Sequence, residues 1–202
     1  MSGKNDALAA DYYQNYISKA PDENVTKAIE KNSRNFRKLL KRIPKKKIDY
    51  AYAEGKWTIR ELVQHVIDAE RVFSYRATSI ARKDPTALPS FDENVWAANS
   101  QASSRSWKDM ITEFRSLRDA NESLFSSFSE EQLRSIGTAS GKQVNVLALG
   151  FIIAGHVEHH IDVLKEKYLN KRTKIQEPRP NDSAGRAISK KEVGKEEKNK
   201  NK

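Results

Sequence analysis

Four histidines occur in the 202 residues, and three of them lie in the run Gly155-His156-Val157-Glu158-His159-His160. On an α-helix, positions 156 and 160 are one turn apart and share a face, so their two imidazoles can grip one ion. His65 stands elsewhere, amid the apolar residues Leu62, Val63, Val66 and Ile67. A helical bundle can bring two such segments together and supply three ring nitrogens from two helices. A lone helical histidine is more often a surface or hydrogen-bonded core residue, and an i, i+4 pair binds no metal in many proteins. The neighbours decide the case here. Two buried imidazoles beside Ile152 and Ile153 are costly unless something satisfies them, and a metal ion does so. His159 lies off the face shared by His156 and His160 and is expected at the surface or in a supporting position.

The chain contains no cysteine. Disulfides and thiolate metal sites are therefore excluded, and ligands must come from His, Asp, Glu or water. Imidazole ligands suit one divalent metal ion: nickel, zinc or iron. Three neutral imidazoles leave at least one coordination position open, the mark of a catalytic rather than a structural site. Such a site can activate water or hold a substrate thiol as thiolate.

Two carboxylates are catalytic candidates. Asp68 follows His65 by three residues, placed to orient it or to move a proton. Asp92 lies with Trp96 in the segment 83–105, where both can close over a pocket; loop capping and hydrophobic anchoring are equally good roles for this pair. Glu61 shares the His65 face but competes as a capping residue, and Glu158 is expected in solvent. Arg71 and Arg76 can meet an anionic substrate, although salt bridges to neighbouring helices are the commoner fate.

Four long helices must position these groups. Pro21-Asp22 resembles a helix start, followed by Val25, Ile29, Phe36, Leu39, Leu40 and Ile43 at helical spacing, and Pro44 with Lys45–Lys47 ends that helix. Thr58 and Glu61 form a capping box that opens a second helix over about Ile59–Arg82. Residues 83–105 hold two prolines and no sustained period, which predicts a long loop. Ser106 caps a third helix with Leu117, Leu124, Phe125 and Phe128 on or near its inner face, and Ser129–Gln132 forms a short capped turn. Gly137 to Gly141 breaks the chain before a fourth helix, about Val144 to Tyr168. Gly150 and Gly155 in it permit close approach of a neighbour. The domain plan is an N-terminal arm over 1–21 carrying the aromatic cluster Tyr12, Tyr13, Tyr16 and Ile17, a bundle over 22–170, and a disordered Lys-rich tail over 171–202.

Three ordered segments resemble the signatures of the DinB/YfiT-like superfamily. They are Gly55 to Arg76, which includes His65; Leu88-Pro89-Ser90-Phe91-Asp92-Glu93; and Gly137–Gly141 followed by Ile152–His160. The similarity runs from about Tyr12 to Leu169. Ser90 stands where a glycine is common before Phe-Asp. The resemblance implies an all-α four-helix bundle with a divalent metal held by His65, His156 and His160. It also implies a metal-dependent enzyme acting on a small-molecule substrate, either by hydrolysis or by S-transfer of a low-molecular-weight thiol. A non-catalytic metal- or ligand-binding bundle is the alternative.

The net charge of +10 invites a nucleic-acid reading, so its location matters. Residues 171–202 carry eleven Lys or Arg against five Asp or Glu, a net of +6 that leaves only +4 for residues 1–170. No recognition-helix motif accompanies that charge, so no specific nucleic acid is expected. The start lacks an apolar signal core, and the longest nearly apolar run, Val146 to Gly155, is shorter than a bilayer span. These features predict a cytoplasmic protein with no membrane partner. A homodimer is among the assemblies open to such a bundle.

Overall fold

The computed structural model of the chain describes residues 2–170. The expected tail, 171–202, lies outside the described residues. Seven helices and one hairpin follow in the order α1 (Asp11–Lys19), α2 (Val25–Arg42), α3 (Ile59–Ala81), α4 (Glu93–Asn99), α5 (Trp107–Ser127), α6 (Glu130–Arg134), β1 (Ile136–Ala139), β2 (Lys142–Asn145) and α7 (Val146–Val163). The four long helices form the bundle: α2 and α3 each pack on both α5 and α7, and α1 lies along the outside of α7.

Local chemistry explains where these helices begin. The Asn24 side chain accepts from Lys27 N at 3.0 Å, so α2 starts at Val25 rather than at the expected Pro21-Asp22. Asp22 acts one step upstream, accepting from Asn24 N at 3.0 Å. Thr58 and Glu61 make the expected capping box of α3, with Glu61 Oε2 accepting from Thr58 N at 2.7 Å. Ser106 caps α5 and Ser129 caps α6 as the sequence predicts.

Three further expectations need correction. The segment 83–105 is not all loop, because Asp92 accepts from Asn94 N and Val95 N and opens α4. That helix escapes a periodicity search because it buries only Ala97. The break at Gly137–Gly141 is a two-residue hairpin turn, with Ala139 paired to Lys142. Ser140 and Gly141 both take positive φ, 52° and 72°, the pair of left-handed residues that a tight hairpin requires. Leu88 joins this hairpin through its N–H to Thr138 O and its carbonyl to Ser140 N, both at 2.9 Å. The fourth helix therefore starts at Val146, capped by Asn145, whose Oδ1 accepts from Ala148 N at 2.8 Å. It continues through a π-helical turn, Leu164–Leu169.

A helix that meets neighbours on nearly every side must be apolar all round. Of the 18 residues of α7, 14 are buried. With its π-turn it covers 24 residues, and an 18-residue window within it has a mean hydropathy of 1.3, enough by length and composition to cross a bilayer, yet 78% of that window is buried in the fold as a core helix. The N-terminal arm proves to be helical. It can lie directly on α7 because Gly155 has no side chain: a Cβ there would overlap the backbone carbonyl of Tyr16. Gly150 likewise leaves room for Val25 and Phe125.

The apolar interior has two halves. One gathers Ile17, Phe73, Phe125 and Phe151, the other Phe36, Leu40, Phe114 and Tyr168. On α7, Ala154 belongs to the first and Val157 to the second. His156 sits at the seam between them.

Candidate metal centre

Mid-helix positions fix the three histidines before any ligand binds. His65 projects from α3 towards α7, where His156 and His160 stand one turn apart. Their ring nitrogens converge: His156 Nε2 lies 3.1 Å from His65 Nε2 and 3.0 Å from His160 Nε2. All three ligand atoms lie within 4.8 Å of one another. Metal–nitrogen bonds of about 2.0–2.1 Å place neighbouring ligand nitrogens roughly 2.9–3.4 Å apart, so the trio fits a single ion.

Hydrogen bonding alone fits the cluster less well. Each Nε2 carries either one proton or one in-plane lone pair. His156 Nε2 therefore cannot make two good hydrogen bonds to His65 and His160 at once. A cation at the shared focus satisfies all three lone pairs together. His156 and His160 are 5% and 8% exposed, while His65 is half-buried and gives the cluster its contact with the surface.

Burial keeps these rings neutral, which is the ligating form. It lowers His65 to about 4, with the Glu93 carboxylate opposing the shift in part. It holds His156 and His160 well below the ordinary histidine value, helped by repulsion between the rings. The unfolded chain therefore takes up protons near pH 6.5, before the folded metal-free protein does, and stability rises with pH across that window. Metal-free protein is expected to keep its full stability above pH 6.5 and to lose it progressively towards pH 4. Urea unfolding at pH 7.5 and 5.0 checks this; a midpoint that does not fall at pH 5.0 would contradict it.

Aromatic rings frame the cluster. Trp57 lies 4.8 Å from the His65 ring, and Tyr16 and Phe73 meet His156 edge-on at 5.4 and 5.9 Å. His159 stays off the focus, half-buried beside Tyr16 at 5.5 Å. His160 Nδ1 is buried without a hydrogen-bond partner, so packing rather than a carboxylate orients that ring. Glu61 is used in the α3 cap, and Glu158 is half-buried rather than fully solvated.

Asp68 lies one turn beyond His65 on α3. Its Oδ1 accepts from Gln64 Nε2 at 2.9 Å and stands 3.6 Å from Arg71. Burial raises its pKa, opposed by that hydrogen bond and by Arg71. With Val72, Tyr75, Phe91 and Trp96 it lines a cleft of about 320 Å³. Asp92 is exposed, and its carboxylate caps α4; Trp96 packs on Phe91 at 4.7 Å. Arg71 pairs with Glu113, and Arg76 is buried, donating to Pro89 O at 2.6 Å and Ser140 Oγ at 3.0 Å.

Several residues escaped the sequence reading. Glu93, in the first turn of α4, reaches His65 electrostatically. Arg118, fully buried on α5, stands with its Nε 2.8 Å from Glu70 Oε2 on α3 and donates from Nη2 to Ile153 O at 3.3 Å. Asn121 Nδ2 donates to Glu70 Oε1 at 2.7 Å. One signal was available: Met110, Phe114, Arg118, Asn121 and Phe125, the buried residues of α5, recur at helical spacing. The two polar members continue an apolar stripe.

Comparison with known proteins agrees with this architecture. A structure of YfiT from Bacillus subtilis, described as a probable metal-dependent hydrolase with an unusual four-helix bundle topology, superimposes with a TM-score of 0.63. The alignment covers 79% of this chain and 87% of YfiT at 16% identity, a likeness of fold. A protein of Oceanobacillus iheyensis named as a candidate metal-dependent hydrolase is 25% identical over 143 residues, covering 69% of this chain and 80% of its own length. One of Bacillus cereus strain B4264, named in the same way, is 29% identical over 86 residues, 42% of this chain and 49% of that protein. The sequence pattern of the DinB superfamily matches residues 28–164, which takes in α2 to α7 and all three converging histidines, and the chain belongs to that superfamily.

Proposed function

We propose that this protein is a metal-dependent enzyme that acts on a small molecule, with hydrolysis as its reaction. The observation that carries this reading is the convergence of His65, His156 and His160 Nε2 on one point, with no fourth protein ligand in the group among the described residues. A divalent ion held there would supply Lewis acidity at a position open to substrate and water. The three imidazoles hold the site neutral and fixed between α3 and α7. The cleft lined by Tyr75, Phe91 and Trp96 offers apolar walls for a substrate body, and Asp68 on the same wall accepts a proton at its free carboxylate oxygen. Burial raises the Asp68 pKa, which makes its carboxylate a stronger base and leaves more of it protonated to give the proton to a leaving group. The names of the bacterial relatives favour hydrolysis. S-transfer would use the same ligands, with the thiol brought by a co-substrate because the chain has no cysteine.

The test is chelator-stripped protein assayed on ester, amide and lactone substrates after adding zinc, nickel or iron(II), with and without a low-molecular-weight thiol. Turnover that requires the metal and not the thiol is the expected result. Turnover that also requires the thiol would establish transfer instead. Stoichiometric metal with no turnover on any substrate would favour the non-catalytic reading.

A further inference from the structure

A second concave site lies away from the histidines. The C-terminal end of α2, the following residues 43–49, the first turn of α3 and the first turns of α5 enclose a cleft of about 890 Å³. No histidine lines it. Its size falls within the range of small-molecule sites, about 300–1,000 Å³.

The charge of this cleft is one-sided. Arg37, Lys41, Lys45, Arg60, Arg105, Lys108 and Arg115 face it, with Asp49 as the one carboxylate in the lining. Three of these cations have acidic partners: Arg60 is bidentate to Asp49 at 2.6 and 2.9 Å, Arg105 pairs with Glu113, and Arg115 stands 3.9 Å from Asp119. Arg37, Lys41, Lys45 and Lys108 have no carboxylate within salt-bridge distance among the described residues. Holding four like charges around one concavity costs free energy through mutual repulsion, which an anion in the middle reverses. The start of α5, capped by Ser106, forms part of the same wall, and a helix N-terminus favours a nearby anion.

The floor is apolar. Ile43 and Ile48 are buried beneath the cleft, and Trp107 and Ile111 form a half-buried side wall. A bare inorganic anion leaves such a wall unused, whereas a ligand with a flat or apolar body covers it.

We infer that this cleft is a binding site for a phosphorylated small molecule with a flat apolar body, its phosphates held by Arg37, Lys41, Lys45 and Lys108 and its body laid against Trp107. The site is independent of the metal centre, and its occupation requires no metal. The size of the cleft, that of a small-molecule site, favours this ligand over nucleic acid, whose recognition uses an extended basic surface.

The experiment is calorimetric titration of the full-length, chelator-treated protein with ATP, with inorganic triphosphate, and with a short DNA duplex. The parent is compared with the double variant Lys41→Glu plus Lys108→Glu. Both lysines are exposed and unpaired in the fold, so the variant should retain its circular dichroism and unfolding midpoint. ATP is expected to bind more tightly than triphosphate, and the variant to bind it about tenfold or more weakly, as loss of charge-assisted contacts requires. Binding equal in parent and variant would assign the anion to the basic C-terminal segment and overturn the inference. So would tighter binding of the duplex than of ATP, which would make this face a nucleic-acid contact, or absence of binding by both ATP and triphosphate. A fall in the variant's unfolding midpoint calls for Lys45→Ser instead, with the same direction of change expected.

Discussion

Arg118→Leu is expected to destabilise the fold by about 3–5 kcal/mol, because removing one partner of a buried ion pair strands the other charge. Glu70 and Arg118 are 2% and 0% exposed, so water cannot replace the lost guanidinium. Asn121 alone would remain on the carboxylate, through one hydrogen bond at 2.7 Å. The pair also spans three helices, since Arg118 Nη2 reaches Ile153 O on α7, one turn before His156. Its loss should therefore loosen the register that brings His156 against His65. Removing both charges, with Glu70→Leu beside Arg118→Leu, is expected to recover most of the loss, since buried ion pairs replaced by apolar residues are often neutral or better. Urea unfolding of the two single variants and the double variant measures this. A single variant within about 1 kcal/mol of the parent would show that the pair carries little of the fold's stability.

Asp68→Asn is expected to lower turnover on the identified substrate by roughly 10²–10⁴-fold while leaving the metal content unchanged. The substitution keeps an oxygen for Gln64 Nε2 to donate to, so the shape of α3 is preserved. What it removes is the carboxylate that can take a proton. Burial raises the Asp68 pKa, so the acid limb of the parent's pH–rate profile should lie above that of an ordinary aspartate and vanish in the variant. Loss of metal together with activity would assign Asp68 to holding the site together. Unchanged turnover would remove it from the mechanism.

Much of this architecture was legible in the residues. The Thr58–Glu61 capping box placed the start of α3 correctly because both halves of that device are local in sequence. The His156–His160 pair was readable because helical spacing alone puts the two rings on one face. Bringing His65 to them needed a tertiary contact, and the apolar residues around it gave the direction. Features that depend on partners distant in sequence were harder to see. Arg118 occupies a core position only because Glu70 on another helix meets it, and neither charge announces that in its own segment. The helix α4 was hidden because it buries a single alanine and so carries no amphipathic period. The hairpin was hidden because Ser140-Gly141 is a less familiar left-handed pair than Asn-Gly, and its strands are only four residues each. Asp92 was read as a catalytic candidate or a capping residue in a loop, and the structure shows its carboxylate accepting from the backbone at the start of α4.

The acidic cap and the aromatic residues that follow it bear on access to the metal centre. Glu93 is close enough to act on both His65 and Tyr16, so α4 stands beside the site and not remote from it. The segment that carries α4 is held at one end by the Leu88 bonds to the hairpin and by Arg76 at Pro89 O. A short helix fixed at its entry and lightly buried along its length is the kind of element that opens at low free-energy cost.

Metal content tests the central claim most directly. Elemental analysis of untagged protein after incubation with zinc or nickel, beside His156→Ala and His159→Ala, separates the converging ring from its off-focus neighbour. The account predicts about one equivalent in the parent, as a three-histidine site requires, nearly the same in His159→Ala, and little in His156→Ala. Equal metal in His156→Ala and the parent, or none in the parent after loading, would contradict it.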